Sequence, residues 1–159
     1  MRAEPKRQQH AHTIRTMVPG DAPAAAKILQ QAPEAANWTE TSLSEVAAGP
    51  GLALVSERNG KVTGFLVARL AADEAEILNL AVLPAHRRLG VAGTLLDNAL
   101  QQFRTRGVSR LFLEVRESNA GAIAFYKRHG FSEAGRRKTY YRAPEEAAVV
   151  MAKQLNPGA

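Results

Sequence analysis

A strand, a long amphipathic helix and a second strand follow one another in the middle of the chain, and this order constrains the fold most. Residues 76–82 (EILNLAV) form an apolar run typical of a central strand, which Pro84 ends. From residue 91 to 103 the apolar side chains recur at helical spacing, and Gly107 supplies a C-terminal stop. Residues 111–115 (LFLEV) are apolar on both faces except at Glu114, which is typical of a strand covered on both sides. The segment therefore predicts a sheet with a central strand–helix–strand crossover.

Five more strands and three more helices are expected around this crossover. The strands are predicted at residues 13–17, 52–57, 62–70, 131–141 and 147–155. The helices are predicted from Asp21 to about Gln31, from Thr39 or Thr41 to Gly49, and from Asn119 to His129. Asp, Thr and Asn are favourable N-caps, and Gly130 gives the last helix a stop. Asn59-Gly60 is a strong hairpin signal, so the strands on either side of it are predicted to be antiparallel.

Composition places the chain among ordinary globular domains. The order of its predicted strands and helices indicates the α/β (α+β) class. Of its 159 residues, 45% are hydrophobic and 23% are charged, and neither an internal repeat nor a low-complexity linker divides them. We therefore expect a flexible N-terminal arm at residues 1–12, a single domain at residues 13–155 and a C-terminal tail at residues 156–159.

Several classes of protein are excluded by what the sequence lacks. It contains no cysteine, which excludes disulfide scaffolds, zinc ribbons and thiol catalysis, and we expect no metal site. The longest apolar stretch, residues 75–83, is interrupted by Glu76 and Asn79 and is far shorter than the ~20 residues of a membrane span. The basic first residues carry no apolar stretch of the kind found in secretory signals, so a cytoplasmic protein without a membrane partner is expected.

Charge is segregated along the chain. Residues 1–86 carry 8 Lys and Arg against 9 Asp and Glu, whereas residues 87–159 carry 13 against 6. We expect the basic half to meet the phosphates of a ligand. The acidic residues Glu34, Glu40 and Glu45 of the other half are expected to face a cationic ligand.

The segment 87–94 (RRLGVAGT) has the properties of a pyrophosphate-binding loop. It leads into the long helix, where backbone N–H groups and the helix dipole favour an anion. Gly90, Ala92 and Gly93 let the backbone approach phosphate oxygens closely, while Arg87 and Arg88 add positive charge. The segment has neither the Gly-Lys-Ser/Thr ending of a nucleotide-hydrolysing P-loop nor the G-x-G-x-x-G dinucleotide fingerprint. A solvated basic loop ahead of a helix is the alternative interpretation.

A second segment, residues 113–131 (LEVRESNAGAIAFYKRHGF), together with the R-x-x-G-x-A pattern of the loop, resembles the GNAT superfamily of acetyl-coenzyme-A-dependent N-acetyltransferases. The string is most similar to the RimI branch, which acetylates the N-terminal alanine of a small-subunit ribosomal protein. The similarity covers most of residues 13–155 and includes NLAVLP at residues 79–84, Asn37-Trp38-Thr39 and Arg137-x-x-Tyr140-Tyr141. It implies a mixed, mostly antiparallel twisted sheet flanked by helices, with splayed central strands.

The resemblance also implies roles for particular residues. The backbone of Leu80, Ala81 and Val82 would pair with the pantetheine arm of acetyl-coenzyme A. The pyrophosphate would be wrapped by Arg87, Arg88, Leu89, Gly90, Val91, Ala92, Gly93 and Thr94. Asn119 would touch the cofactor, Glu114 would be the general base, and Tyr126 would be the general acid that protonates the departing thiolate of coenzyme A. Three residues differ from those commoner in the family. Ala92 replaces a glycine, Arg87 replaces a glutamine, and Asn37, on the acceptor side, replaces a proline.

The expected acceptor is the α-amine of a protein N-terminus, and the resemblance implies that this protein is a ribosomal protein. An α-amino group has a pKa of about 7.7 to 8.0, so its neutral form costs about 1 kcal/mol at pH 7, against about 4.6 kcal/mol for a lysine. A half-buried glutamate therefore suffices as a base, directly or through one water. Direct attack on the thioester is expected, because the chain has no cysteine and no recognisable Ser–His arrangement. The expected acceptor-binding residues are Trp38, Glu34, Tyr140 and Tyr141.

Structural interpretations and other functions stay open beside this one. Glu114 can pair with Arg116 or a neighbouring arginine, and Tyr126 can be a packed aromatic. Asn119 can act as a cap alone, Trp38 can belong to the core, and one of the two neighbouring tyrosines on the last strands can be a packing residue. Acetylation of a small amine (a polyamine or an aminoglycoside) or of a lysine side chain is the alternative within the same class.

A basic RNA-binding module is the alternative from a different class of protein. It would use the same positive charge but would need neither Glu114 nor Tyr126, and the chain shows no aromatic RNA-binding motif. We therefore expect no direct nucleic-acid role, and a monomer or weak dimer.

Overall fold

Seven strands and four helices make up the part of the chain that the computed structural model describes, which is residues 11–33, 35, 38–142 and 145–156. The strands are β1 Thr13–Thr16, β2 Leu52–Arg58, β3 Lys61–Ala71, β4 Glu74–Val82, β5 Arg110–Arg116, β6 Ser132–Arg142 and β7 Glu145–Gln154. The helices are α1 Ala22–Gln30, α2 Glu40–Ala48, α3 Val91–Thr105 and α4 Ala120–Arg128. Short 3-10 turns at Pro19–Asp21 and Pro84–His86 precede α1 and α3. Every element expected from the sequence is present, with ends that shift by two residues at most.

The strands form one mixed sheet in the order β1-β2-β3-β4-β5-β7-β6. The pairs β1–β2, β2–β3, β5–β7 and β6–β7 are antiparallel, whereas β4 and β5 are parallel and are connected by α3. The predicted strand–helix–strand crossover and the mostly antiparallel α/β fold are thereby confirmed. The register of β4 with β5 runs from Glu74↔Arg110 to Ile77↔Leu113 and ends there, although both strands continue, as expected for splayed central strands.

Two compact units divide the chain. The first comprises residues 1–68 with 79–101, and the second comprises residues 69–78 with 102–159. Fully buried apolar side chains of the first unit include Met17, Ile28, Leu43, Leu54, Phe65, Leu66, Leu95 and Leu96. Those of the second unit include Phe103, Leu111, Leu113 and Met151. Burying each such side chain contributes about 1.5–3 kcal/mol, so each unit has a core of its own.

Local signals in the sequence mostly act where they were expected. Asn59 and Gly60 have φ of 52° and 77° between Arg58 and Lys61, which pair across the turn, so the predicted hairpin is confirmed. Thr39 rather than Thr41 caps α2, because its hydroxyl accepts the Ser42 N–H at 3.0 Å. No helix in the described ranges is long and apolar enough to span a membrane.

The prediction that the Asp21 side chain caps α1 is wrong. Asp21 precedes α1, but its carboxylate makes no hydrogen bond to that helix. It accepts the Val18 N–H at 2.9 Å instead. Val18 begins the 3-10 turn that precedes α1, and its N–H group has no partner within that turn. Two 2.8 Å bonds from the Arg15 guanidinium complete its contacts and lower the pKa of Asp21.

Candidate active site

The predicted site residues are distributed over both units, and the first unit carries the strand and loop expected to hold a cofactor. Leu80, Ala81 and Val82 end β4, with Ala81 and Val82 buried. Gly64 of β3 lies against this end, since a Cβ added there would be 3.0 Å from the Ala81 carbonyl oxygen. A side chain at position 64 would collide with the end of β4, so Gly64 allows the close packing of the segment predicted to bind the cofactor, a requirement that the sequence analysis missed.

The loop that follows β4 presents backbone donors at a helix start. Arg88 and Gly90 have φ of 65° and 78°, the left-handed conformation that lets successive N–H groups converge on an anion. Val91, Ala92 and Gly93 begin α3, and the N–H groups of such a first turn have no partner within the helix. An added Cβ at Gly90 would meet no heavy atom within 4 Å, so a ligand can approach there. These features fit the pyrophosphate of acetyl-coenzyme A.

Other side chains of this loop are held by the protein. The Thr94 hydroxyl donates to the Gly90 carbonyl at 2.9 Å, so it closes the first turn of α3. Arg87 donates from Nε to the Val82 carbonyl and from its terminal nitrogen to the Gln31 carbonyl, both at 3.0 Å. Arg87 therefore ties the loop to the end of β4 and to the residue after α1, a structural role that the sequence analysis did not predict beside the expected contact with the pyrophosphate.

A cavity of about 350 Å³ opens beside the same loop within the first unit. It is lined by Ala11, His12, Arg58, Leu89, Val91 and Thr94. His12 Nε2 lies 3.2 Å from His86 Nδ1 at its edge. Burial, followed by the charges of His86 and Arg58, lowers the pKa of His12, so the imidazole is neutral near pH 7. The described ranges contain no group of three or more metal-ligating side chains.

The second unit carries Glu114, the predicted base, in the middle of β5. Its side chain is only 13% exposed, and Oε1 lies 3.0 Å from Nε of Arg137 on β6. The Tyr140 hydroxyl also hydrogen bonds to this carboxylate, which raises the pKa of Tyr140. The structure thus brings two predicted site residues, Glu114 and Tyr140, together. It also confirms the alternative that Glu114 pairs with a neighbouring arginine. This arginine is Arg137, which the sequence analysis named only as part of a motif.

Tyr126, the predicted acid, is buried in the last turn and a half of α4. Its ring packs edge-on against Phe125 and Phe131, with centroids 5.1 and 5.4 Å apart. The packed-aromatic interpretation is therefore correct, and it is compatible with a catalytic role because the packing fixes the ring. Burial raises the pKa of Tyr126, so the hydroxyl is protonated at neutral pH and is a weaker acid than that of an exposed tyrosine.

The turn between β5 and α4 is anchored at several points. Asn119 caps α4, because its Oδ1 accepts the Ala122 N–H at 3.1 Å, as predicted. Glu146 of β7 accepts the Ser118 hydroxyl at 2.6 Å and the Ser118 N–H at 3.2 Å, which lowers the pKa of Glu146. Glu117 pairs with Arg136 of β6. The Asn119 cap and the Ser118–Glu146 bonds fix the position of the segment that separates Glu114 from Tyr126, whereas the Glu117–Arg136 pair lies at the surface.

The predicted acceptor-binding residues are described less completely. Trp38 is partly exposed and directly precedes α2, and Tyr140 is 47% exposed on β6. Glu34 and the side chain of Tyr141 lie outside the described residues. Glu40 and Glu45 are exposed on α2, as a surface that faces a cationic ligand requires.

Known proteins are similar to this chain in sequence and fold over nearly its whole length. Residues 22–131 match the acetyltransferase (GNAT) family. The chain is 38% identical to the ribosomal protein bS18-alanine N-acetyltransferase of Escherichia coli K12 over 147 residues, which are 91% of this chain and 99% of that protein. The crystal structure of the E. coli ribosomal-protein-S18-alanine N-acetyltransferase has a TM-score of 0.84 at 35% identity, covering 94% of this chain and 97% of its own. Ard1 from Thermoplasma volcanium has a TM-score of 0.82 at 31% identity, covering 91% and 98%.

Proposed function

The chain belongs to the GNAT family of acetyl-coenzyme-A-dependent N-acetyltransferases, and from that premise we propose that its acceptor is the N-terminal alanine of ribosomal protein bS18. The observation that carries this proposal is the 38% identity over 99% of a protein named for that reaction. The partners are then acetyl-coenzyme A and a protein N-terminus, and the enzyme works in the cytoplasm as a monomer or weak dimer.

The cofactor is held by backbone more than by side chains in this proposal. Leu80, Ala81 and Val82 pair with the pantetheine arm. The pyrophosphate lies on the segment Arg87, Arg88, Leu89, Gly90, Val91, Ala92, Gly93 and Thr94, where the first N–H groups of α3 and the left-handed residues Arg88 and Gly90 support it. Asn119 offers its side-chain N–H groups to the cofactor, because its Oδ1 is used by the cap.

The chemical step is direct attack of the acceptor amine on the thioester. Glu114 takes the proton that the amine loses, directly or through one water, and the amine nitrogen bonds to the acetyl carbonyl carbon. The carbon–sulfur bond breaks, and Tyr126 gives its proton to the departing thiolate. Support for these roles comes from the small exposure of Glu114 and from the aromatic packing that fixes the position of the Tyr126 ring.

The acceptor is recognised by charge and by aromatic surface. Glu34, Glu40 and Glu45 attract a basic N-terminal peptide, while Trp38, Tyr140 and Tyr141 line its path. The exposed carboxylates of α2 and the exposed ring of Tyr140 support this assignment.

Mass spectrometry of a peptide reaction tests the proposal. We expect wild-type protein with acetyl-coenzyme A to add one acetyl group at the α-amine of a hexapeptide that copies the bS18 N-terminus. Glu114→Gln should slow this reaction by about 100-fold, within the range of general-base catalysis, with little change in cofactor affinity. Glu117→Gln is the matched control, because it removes a carboxylate three residues away that pairs with Arg136.

Each failure of this test has a distinct meaning. An unmodified peptide together with an acetylated polyamine, aminoglycoside or lysine would replace the acceptor but keep the family. RNA binding with strong salt dependence and no acetyl transfer would instead support the basic RNA-binding module. Full activity of Glu114→Gln at neutral pH would remove Glu114 from the role of base.

A further inference from the structure

We propose that Arg137 masks the Glu114 carboxylate while no acceptor is bound, and that the ammonium of the acceptor takes the place of its guanidinium. The inference rests on the proposed role of Glu114 as the base. It assigns Arg137 as a positioning residue, which acts on the reaction through Glu114.

The two partners of this ion pair differ in how firmly they are held. Glu114 is 13% exposed and lies within β5, where it is paired in register with Val150 of β7. Arg137 is 61% exposed. The register of β6 with β7 is irregular between Arg137 and Tyr141, and such irregularities redirect side chains next to active sites. The carboxylate is therefore fixed, whereas the arginine is the member of the pair that can leave.

The guanidinium has a second contact, on the same strand, besides the one with Glu114. Cζ of Arg137 lies 5.6 Å from the centre of the Tyr140 ring, within the range of a cation–π contact. The Tyr140 hydroxyl also bonds to Glu114. Tyr140 thus contacts both members of the pair, so the arginine can move off the carboxylate without losing the aromatic face.

A mask has a chemical purpose in an enzyme that holds a thioester beside a base. Glu114 without its partner cation can take a proton from water, whose oxygen then bonds to the acetyl carbonyl carbon. The carbon–sulfur bond breaks, Tyr126 protonates the thiolate, and acetate and coenzyme A are released. A guanidinium on Glu114 blocks this loss of acetyl-coenzyme A, and only a competing cation, the acceptor ammonium, exposes the base.

Strand β6 provides a matched control for this inference. Arg136 precedes Arg137 and pairs with Glu117, and both partners are about half exposed at 56% and 47%. Removing Arg136 therefore deletes the same charge from the same strand without touching Glu114. A purely structural effect, or a long-range effect of the lost charge, would change the rate equally in Arg136→Ala and Arg137→Ala.

The experiment measures coenzyme A release from acetyl-coenzyme A without any acceptor. We expect Arg137→Ala to raise this hydrolysis about tenfold, a modest share of what general-base catalysis supplies, and to lower the KM for the peptide. Arg136→Ala should hydrolyse at the wild-type rate. Arg137→Lys, which keeps a cation, should restore the low rate, and the double variant Arg137→Ala/Glu114→Gln should lose the increase. Thermal unfolding of each variant shows that it is folded.

Three results would overturn the inference. If Arg137→Ala and Arg137→Lys hydrolyse no faster than Arg136→Ala while Glu114→Gln still slows peptide acetylation, the mask is wrong but the proposed base stands. If the double variant keeps the raised hydrolysis, the water is not activated by Glu114. If Glu114→Gln acetylates the peptide at full rate, the base assignment and the mask fail together. The hydrolysis assay needs no peptide, so it can be read even if the acceptor proves to be different.

Discussion

The cofactor loop and the acid–base elements work through different parts of their residues. In the loop after β4, cofactor binding is proposed to depend on the backbone, through left-handed Arg88 and Gly90 and the open N–H groups of α3. On β5 and α4 the proposed chemistry depends on two side chains, Glu114 and Tyr126, which lie on regular elements. Backbone conformation is therefore the property most sensitive to mutation in the loop, whereas a single functional group is the most sensitive property on β5 and on α4.

The largest effect is expected from a change that removes one oxygen atom from the acid–base region. Tyr126→Phe keeps the aromatic contacts with Phe125 and Phe131 but removes the hydroxyl. We expect kcat to fall by about 100-fold, typical of a lost general acid, with the Kd for acetyl-coenzyme A almost unchanged. Steady-state kinetics and calorimetry would check this, and an unchanged kcat would show that the thiolate is protonated by another group.

An intermediate effect is expected from one methyl group in the loop. Gly90 has φ of 78° and open space around an added Cβ, so Gly90→Ala acts through the backbone conformation alone. We expect it to lower the free energy of unfolding by about 1 kcal/mol. Movement of the N–H groups should weaken acetyl-coenzyme A binding by up to about tenfold, equivalent to about 1.4 kcal/mol.

Gly20→Ala is the control for this variant. Gly20 also has open space but lies in a turn without a left-handed φ, so neither stability nor affinity should change much. Equal losses in both alanine variants, measured by thermal unfolding and calorimetry, would contradict the view that the loop works through its backbone.

The smallest effect separates two adjacent arginines within the loop. Arg87 donates hydrogen bonds to two carbonyls, so Arg87→Ala should lower the free energy of unfolding by about 1 kcal/mol. Any change in cofactor affinity should be the same at low and at high salt. Arg88→Ala should instead weaken acetyl-coenzyme A binding a few-fold, and the loss should shrink as salt screens the phosphate. Calorimetry at two salt concentrations distinguishes them. A salt-dependent loss in Arg87→Ala would assign that guanidinium to the phosphate after all.

Features that depend on a few neighbouring residues could be predicted from the sequence. The hairpin at Asn59-Gly60, the cap at Asn119 and the amphipathic α3 all follow from local conformational preference or spacing, and all were found. The open N–H groups at the start of α3 could be predicted in the same way, because any helix start has them, whereas their binding of a pyrophosphate stays a prediction.

Partners that come from distant parts of the chain could not be predicted. Arg87 meets Gln31, which lies 56 residues away, and Glu114 meets Arg137 from another strand. No spacing rule identifies such contacts, because they depend on how the elements pack. Asp21 shows the same limit at short range, since the 3-10 turn that takes its carboxylate replaces the expected helix cap.

The two edges of the sheet are protected against aggregation in different ways. Strand β1 at one edge has only four residues, too few to offer a long template to another chain. Strand β6 at the other edge has eleven residues, but it is interrupted by two register irregularities and carries the exposed cations Arg136, Arg137 and Lys138. Charges and bulges of this kind oppose edge-to-edge pairing of strands. Arg137, the residue proposed to cover the base, therefore has a second role as one of the charges that disfavour pairing of this edge with an edge of another copy.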